Sequence, residues 1–194
     1  MRRTRLLLIP AAAVVLMALT GCGGGTPSAS PTPVETSSTP SAEPSPSEAP
    51  AAPAALPTDC GQVGSVTTRA ATVDQMTLQG DGEGFVRPAP EGAQLALGCD
   101  WIEGDATGYL LLVSTADADA AQAYAESALP GEGYSCTVGD VGAYICTMTT
   151  TGSAEPVDTV ETIYVRDGVW IYQSATNTDG EALLTDLVGA IWAA

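Results

Sequence analysis

TVETIYVRDGVWIYQSA, residues Thr159–Ala175, is the stretch that decides how this chain folds. Two runs rich in β-branched and aromatic residues flank Asp167-Gly168. An Asp-Gly pair between such runs marks a two-residue hairpin turn of type I′, in which both central residues need positive φ. So short a loop fixes the register: Val165 faces Trp170 and Ile163 faces Tyr172. Side chains alternate between the faces of a strand, so these four share one face and belong to the core.

The same pattern recurs on the N-terminal side. Leu95 to Glu103 and Tyr109 to Thr115 read as two strands joined by Gly104-Asp105-Ala106-Thr107-Gly108. Tyr109 to Val113 is apolar on both faces and is expected in the interior of a sheet. Tyr134 to Val138 and Ala143 to Thr150 form another hairpin, bent at Gly139-Asp140. Gly84 to Arg87 reads as a short strand ending at Pro88. Asp117 to Leu129 reads as a helix, with Asp117 and Asp119 at its positive end, a buried stripe of Ala121, Tyr124, Ala125 and Ala128, and Pro130-Gly131 as its stop. A last helix follows Thr178 and Glu181, which are spaced as a capping box. Leu184, Leu187, Val188 and Ile191 run along one side of it, with Trp192 beside them. Gln62 to Leu78 is partly helical, through Val63, Val66, Ala70 and Val73. Helices and strands in this order predict an α+β domain: a mainly antiparallel sheet with helices packed on it.

The first 57 residues are of a different kind. Arg2, Arg3 and Arg5 precede the apolar run Leu6 to Leu19, which is short for a membrane-spanning helix and fits a cleavable signal peptide over residues 1–21. Leu19-Thr20-Gly21-Cys22 resembles the bacterial lipobox. That resemblance implies diacylglycerol on the Cys22 sulfur, cleavage before it and acylation of the new amine. The partner so implied is a lipid bilayer, held through the acylated Cys22 at the extracytoplasmic face of the cell membrane. Residues 22–57 then form a tether rich in Pro, Ser, Thr and Ala, with too few large apolar groups to fold, and residues 58–194 form the domain.

Four cysteines remain: Cys60, Cys99, Cys136 and Cys146. An even number in an exported domain reads as two disulfides. Three connectivities are available. Cys60–Cys99 with Cys136–Cys146 is preferred, because each pair falls within one contiguous half of the domain. No C-x-x-C spacing and no histidine supports zinc or a thiol redox centre.

Charge narrows function further. The chain has 23 acidic residues against 6 basic ones. Beyond the leader, the cations are Arg69, Arg87 and Arg166. Such a surface repels phosphate backbones, so no nucleic-acid partner is expected. With neither His nor Lys, the commonest general bases are missing, and no cofactor motif occurs. The acidic, Gly-rich Asp81-Gly82-Glu83-Gly84 and Asn177 to Glu181 depart from the calcium-loop pattern and read as turns and helix caps. Trp101, Trp170, Trp192, Tyr144, Tyr164 and Tyr172 read as core rather than as a ligand groove. An arginine set in a pocket would clamp a carboxylate or phosphate, although ion pairing at the surface is the simpler role for all three.

Cys60 and Cys99-Asp100-Trp101, followed by a second half ending in a helix, resemble uncharacterised actinobacterial lipoproteins. The layout is also similar to the extracellular sensor domains of mycobacterial membrane kinases. Those lipoproteins usually carry a Leu-Leu pair after the first cysteine, where this chain has Gln62-Val63-Gly64. The resemblance implies a non-enzymatic sensing or binding role with an unknown ligand: a small molecule, a peptide or a wall fragment. The alternative expectation is a structural lipoprotein docking on a membrane-protein partner, marked by an exposed apolar patch. Third comes a hydrolase working through paired carboxylates.

Overall fold

The computed structural model describes residues 54–152 and 156–193. The signal peptide expected over 1–21, Cys22 and most of the tether lie outside the described residues.

The hairpin at Asp167-Gly168 forms as its sequence requires. Asp167 (φ 51°) and Gly168 (φ 77°) both take the left-handed conformation. They join β6 (Asp158–Arg166) to β7 (Val169–Thr176), with Val165 opposite Trp170 and Ile163 opposite Tyr172. Around this hairpin stand β1 (Thr77–Gly80), β2 (Gln94–Glu103), β3 (Thr107–Thr115), β4 (Ser135–Val138) and β5 (Tyr144–Thr151). They make one seven-stranded sheet in the order β1-β2-β3-β7-β6-β5-β4, antiparallel at every pairing. With helices α1 (Val66–Thr72), α2 (Ala118–Ser127) and α3 (Glu181–Ile191), the domain is α+β.

The sheet is covered on both faces. On one face Leu111, Val113 and Ile171 pack with Leu183, Leu187 and Ile191 of α3, together with Val63 and Val73 on either side of α1. On the other face Leu112, Ile163, Val165, Trp170 and Tyr172 pack with Ala121 and Ala125 of α2 and with Leu129 beyond it. The small alanines let α2 approach closely, and the Asp117 carboxylate caps it by accepting from the Ala120 amide (2.9 Å). Each face carries one disulfide, Cys60–Cys99 and Cys136–Cys146 respectively, as the preferred connectivity has it. Cys136 and Cys146 are direct cross-strand partners in β4 and β5.

Two expectations need correction. Gly84 to Arg87 is not a strand. Gly84 has φ 89°, the Phe85 amide turns back to the Gly82 carbonyl (3.4 Å), and residues 81–90 run as an irregular strap across β2 and β3 on the α2 face. The strap lies so close that a Cβ on Gly98 would sit 1.7 Å from the Asp81 carbonyl oxygen. The Pro88 carbonyl in turn accepts from the indole of the fully buried Trp170 (3.2 Å). Thr178 and Glu181 form no capping box. Gly180 is the N-cap, and the Glu181 amide donates to Asp179 Oδ1 (2.9 Å). Gly180 rests on the Tyr109 ring, where a Cβ would come within 2.5 Å of Cε2, so the chain enters the helix later than the motif implies. Gln62 to Leu78 is partly helical, as expected: Val66–Thr72 forms α1, and β1 begins at Thr77 inside that range. Ser65 caps α1 through the Thr68 amide (3.3 Å).

Ala54 and Leu56, which the composition assigns to the tether, pack against the α3 face. The Ala55 amide donates to the Ile191 carbonyl at the end of α3 (2.9 Å).

Candidate ligand groove

The α3 face is unevenly covered. α3 stands over β3 and β7, and the floor made by β5, β6 and the end of β7 opens beside it as a groove of about 560 Å³. Ile145, Tyr164, Val160 and Ala175 supply apolar floor, and Leu184 and Val188 supply an apolar wall. That volume and lining lie within the range of small-molecule sites.

A polar rung crosses this floor. Thr147 of β5 pairs with Thr162 of β6, which pairs with Gln173 of β7. All three line the groove. With strands roughly 4.8 Å apart, the rung is about 10 Å long. Thr162 and Gln173 are only 7% and 3% exposed. Burying two polar side chains is costly unless they find partners. Gln173 finds one: its Oε1 accepts from the Tyr109 hydroxyl (2.6 Å). Burial pushes the Tyr109 phenol far above its ordinary range, so it stays protonated and must donate. A donating phenol selects the oxygen end of the carboxamide, which leaves the Gln173 NH₂ as the donor end at the groove.

The mouth is acidic. Thr178, Asp179, Gly180, Glu181 and Thr185 line it at the start of α3, and among the described residues no arginine lines the groove. Arg69 instead pairs with Asp74 (2.9 Å) and donates to the Cys60 carbonyl (2.6 Å). Arg166 pairs with Asp167 (3.0 Å) and lies over the Trp192 ring at 4.9 Å. Arg87 donates to Ser114 (2.9 Å), and its Nε is buried with no partner among the described residues. The simpler role foreseen for the arginines therefore fits Arg69 and Arg166 and does not fit Arg87.

Of the six aromatics singled out, Trp101, Trp170, Tyr164 and Tyr172 are buried, while Trp192 and Tyr144 are half-buried. Trp192 continues the Val188 side of α3 and packs on Tyr164 (5.6 Å between centroids). Asp81 accepts from the Glu83 amide (3.0 Å) and Asn177 donates to Thr107 (3.0 Å), so both acidic Gly-rich segments make turns and ties. On the opposite face, Tyr134 bonds Glu161 and Tyr124 bonds Glu132; burial first, then the neighbouring carboxylate, raises both phenols. Among the described residues no group of three Cys, Asp or Glu converges as a metal site, and no helix is long and apolar enough to cross a membrane.

Thr147, Thr162 and Gln173 were not singled out from sequence, yet a signal existed. The register fixed by Asp167-Gly168 already sets Thr162 opposite Gln173, on the face away from Trp170.

No protein-family model, no curated protein and no solved structure matches the chain.

Proposed function

We propose that the folded part of this chain is a non-enzymatic binding or sensing module for a small, largely apolar molecule. Lipid on Cys22 holds it at the extracytoplasmic face of the cell membrane. The observation that carries the binding half of this reading is the groove beside α3, with the buried Thr162 and Gln173 set in an apolar floor. A mostly apolar concavity with a few fixed polar groups is the usual form of a ligand site. The resemblance of Leu19-Thr20-Gly21-Cys22 to a lipobox supports the anchoring half.

Two experiments test the two halves. A fragment library is titrated into the full-length chain carrying Cys22→Ser, followed by amide NMR. Hits are expected to shift Thr162, Gln173, Ala175 and Val188, and hits that all map elsewhere would remove the groove from the account. Growth with a labelled fatty acid is expected to label the native chain and not the Cys22→Ser chain, which should leave the membrane fraction.

One observation favours the docking alternative. Phe85 and Val86, at the bend of the strap, are 46% and 100% exposed. A stoichiometric protein partner recovered from native membranes, and lost with Val86→Ser, would replace the solitary-binder reading.

A further inference from the structure

We infer that the groove selects organic cations: molecules with an apolar body, an acceptor oxygen within it and a protonated amine at the end nearest solvent. The inference rests on the ligand-binding reading above and names the class of ligand that reading leaves open.

Two parts of the groove carry it. The deep part offers a donor. Tyr109 holds the Gln173 oxygen, so the carboxamide presents its NH₂. A carbonyl, ether or hydroxyl oxygen satisfies that group, and Thr162 beside it can donate or accept. An entirely hydrocarbon ligand would seal the NH₂ away from water unpaired, which lowers affinity. The outer part offers negative charge. Among the described residues, Asp179 and Glu181 are the only carboxylates that line the groove, and neither has an ion-pair partner. One Asp179 oxygen is committed to the Glu181 amide, which leaves the second free to face a ligand. With no arginine on the walls among the described residues, a carboxylate or phosphate entering here meets repulsion and no compensating pair.

Acids at a helix start also favour the helix dipole, and that role alone would account for Asp179 and Glu181. The two roles separate experimentally. A dipole role affects stability only, whereas a selecting role changes which ligand is preferred.

Three probes share one body and one amide carbonyl and differ only in the terminal group, which is cationic, neutral or anionic. They are N-(2-aminoethyl)-4-phenylbutanamide, its neutral analogue N-propyl-4-phenylbutanamide, and the anionic N-(4-phenylbutanoyl)-β-alanine. Each is titrated into the full-length Cys22→Ser chain at low salt and followed by amide NMR, including the Gln173 side-chain resonances. The amine is expected to bind at least about tenfold tighter than the carboxylate, with the neutral probe between them. The Gln173 NH₂ signals are expected to shift with the amine and the neutral probe. In the double variant Asp179→Asn, Glu181→Gln, the spread between amine and carboxylate should fall to about twofold. Asn keeps a side-chain oxygen for the Glu181 amide, so the helix start survives.

Equal or tighter binding of the carboxylate would overturn the inference. So would a preference that persists in the double variant, or Gln173 signals that stay still while the probes bind. In those cases the groove remains a binding site of another class. If none of the three probes shifts a groove residue at millimolar concentration, both the inference and the groove fall together.

Discussion

Gly98 shows how much one hydrogen atom can decide. The Asp81 carbonyl occupies the place where any other residue would carry Cβ. Gly98→Ala must therefore push the strap off β2, with an expected cost of about 1–3 kcal/mol in urea unfolding and loss of the Trp170 indole bond to Pro88. The start of α3 offers a sharper comparison. The capping-box spacing makes Thr178 important and the structure makes Asp179 important. Thr178→Ala is expected to be nearly neutral and Asp179→Ala to cost about 1 kcal/mol, both read by thermal unfolding. Leu183, outside the stripe foreseen from sequence, is fully buried, and Leu183→Ala should cost about 3 kcal/mol. The motif misled because the contact that delays the helix, Gly180 against Tyr109, joins residues far apart in the chain. Spacing rules see only neighbours.

The elements were readable in proportion to how local their causes are. Asp167-Gly168 carries its own turn, so β6, β7 and their register followed from the residues alone. α1 is the opposite case: seven residues with threonines and no strong apolar stripe, held from outside. Asp186 of α3 accepts from the Thr68 hydroxyl (2.7 Å) and the Ser65 amide (3.0 Å). Those bonds, Thr68 first and Ser65 second, hold the Asp186 carboxyl below its ordinary value of 3.8. A lowered folded value means that the tie is fully present above the unfolded pKa and is lost as pH falls through the folded one. Hydrogen exchange at Ser65 and Thr68, corrected for intrinsic rates, should therefore quicken as pH drops from about 5 to about 2.5. Asp186→Asn should remove most of that dependence. The groove was hidden for the same reason that α1 was. Its floor comes from β5, β6 and β7 and its wall from α3, but the gap between them depends on where α3 lands.

At the scale of the molecule, the class, the antiparallel sheet and both disulfides were legible, while the strap and the two-sided cover were not, since loops without repeat or alternation leave no pattern. The crosslinks span 39 and 10 residues. In the loop-entropy view, replacing each pair by alanine should lower stability by about 4 kcal/mol for Cys60–Cys99 and about 3 kcal/mol for Cys136–Cys146, measured in urea. Peptide mapping without reductant checks the pairing, and a Cys60–Cys136 fragment would contradict it. The strand order has one more consequence. β1-β2-β3 and β4-β5-β6-β7 are each continuous meanders, and the β3–β7 ladder, Gly108 to Thr115 against Val169 to Thr176, is the single place where they zip together. The Cys136–Cys146 crosslink lies within the second meander, and Cys60–Cys99 ties the segment before α1 to β2 of the first, so oxidation can finish before the halves meet. Closing that zipper brings together chain some sixty residues apart, and such distant closure is what slows a β-rich protein. Refolding of the oxidised chain should hence be limited by this one late docking. Leu111→Ala and Ile171→Ala would slow it more than changes inside either meander, and a mechanical pull applied across the sheet would tear first along the same line.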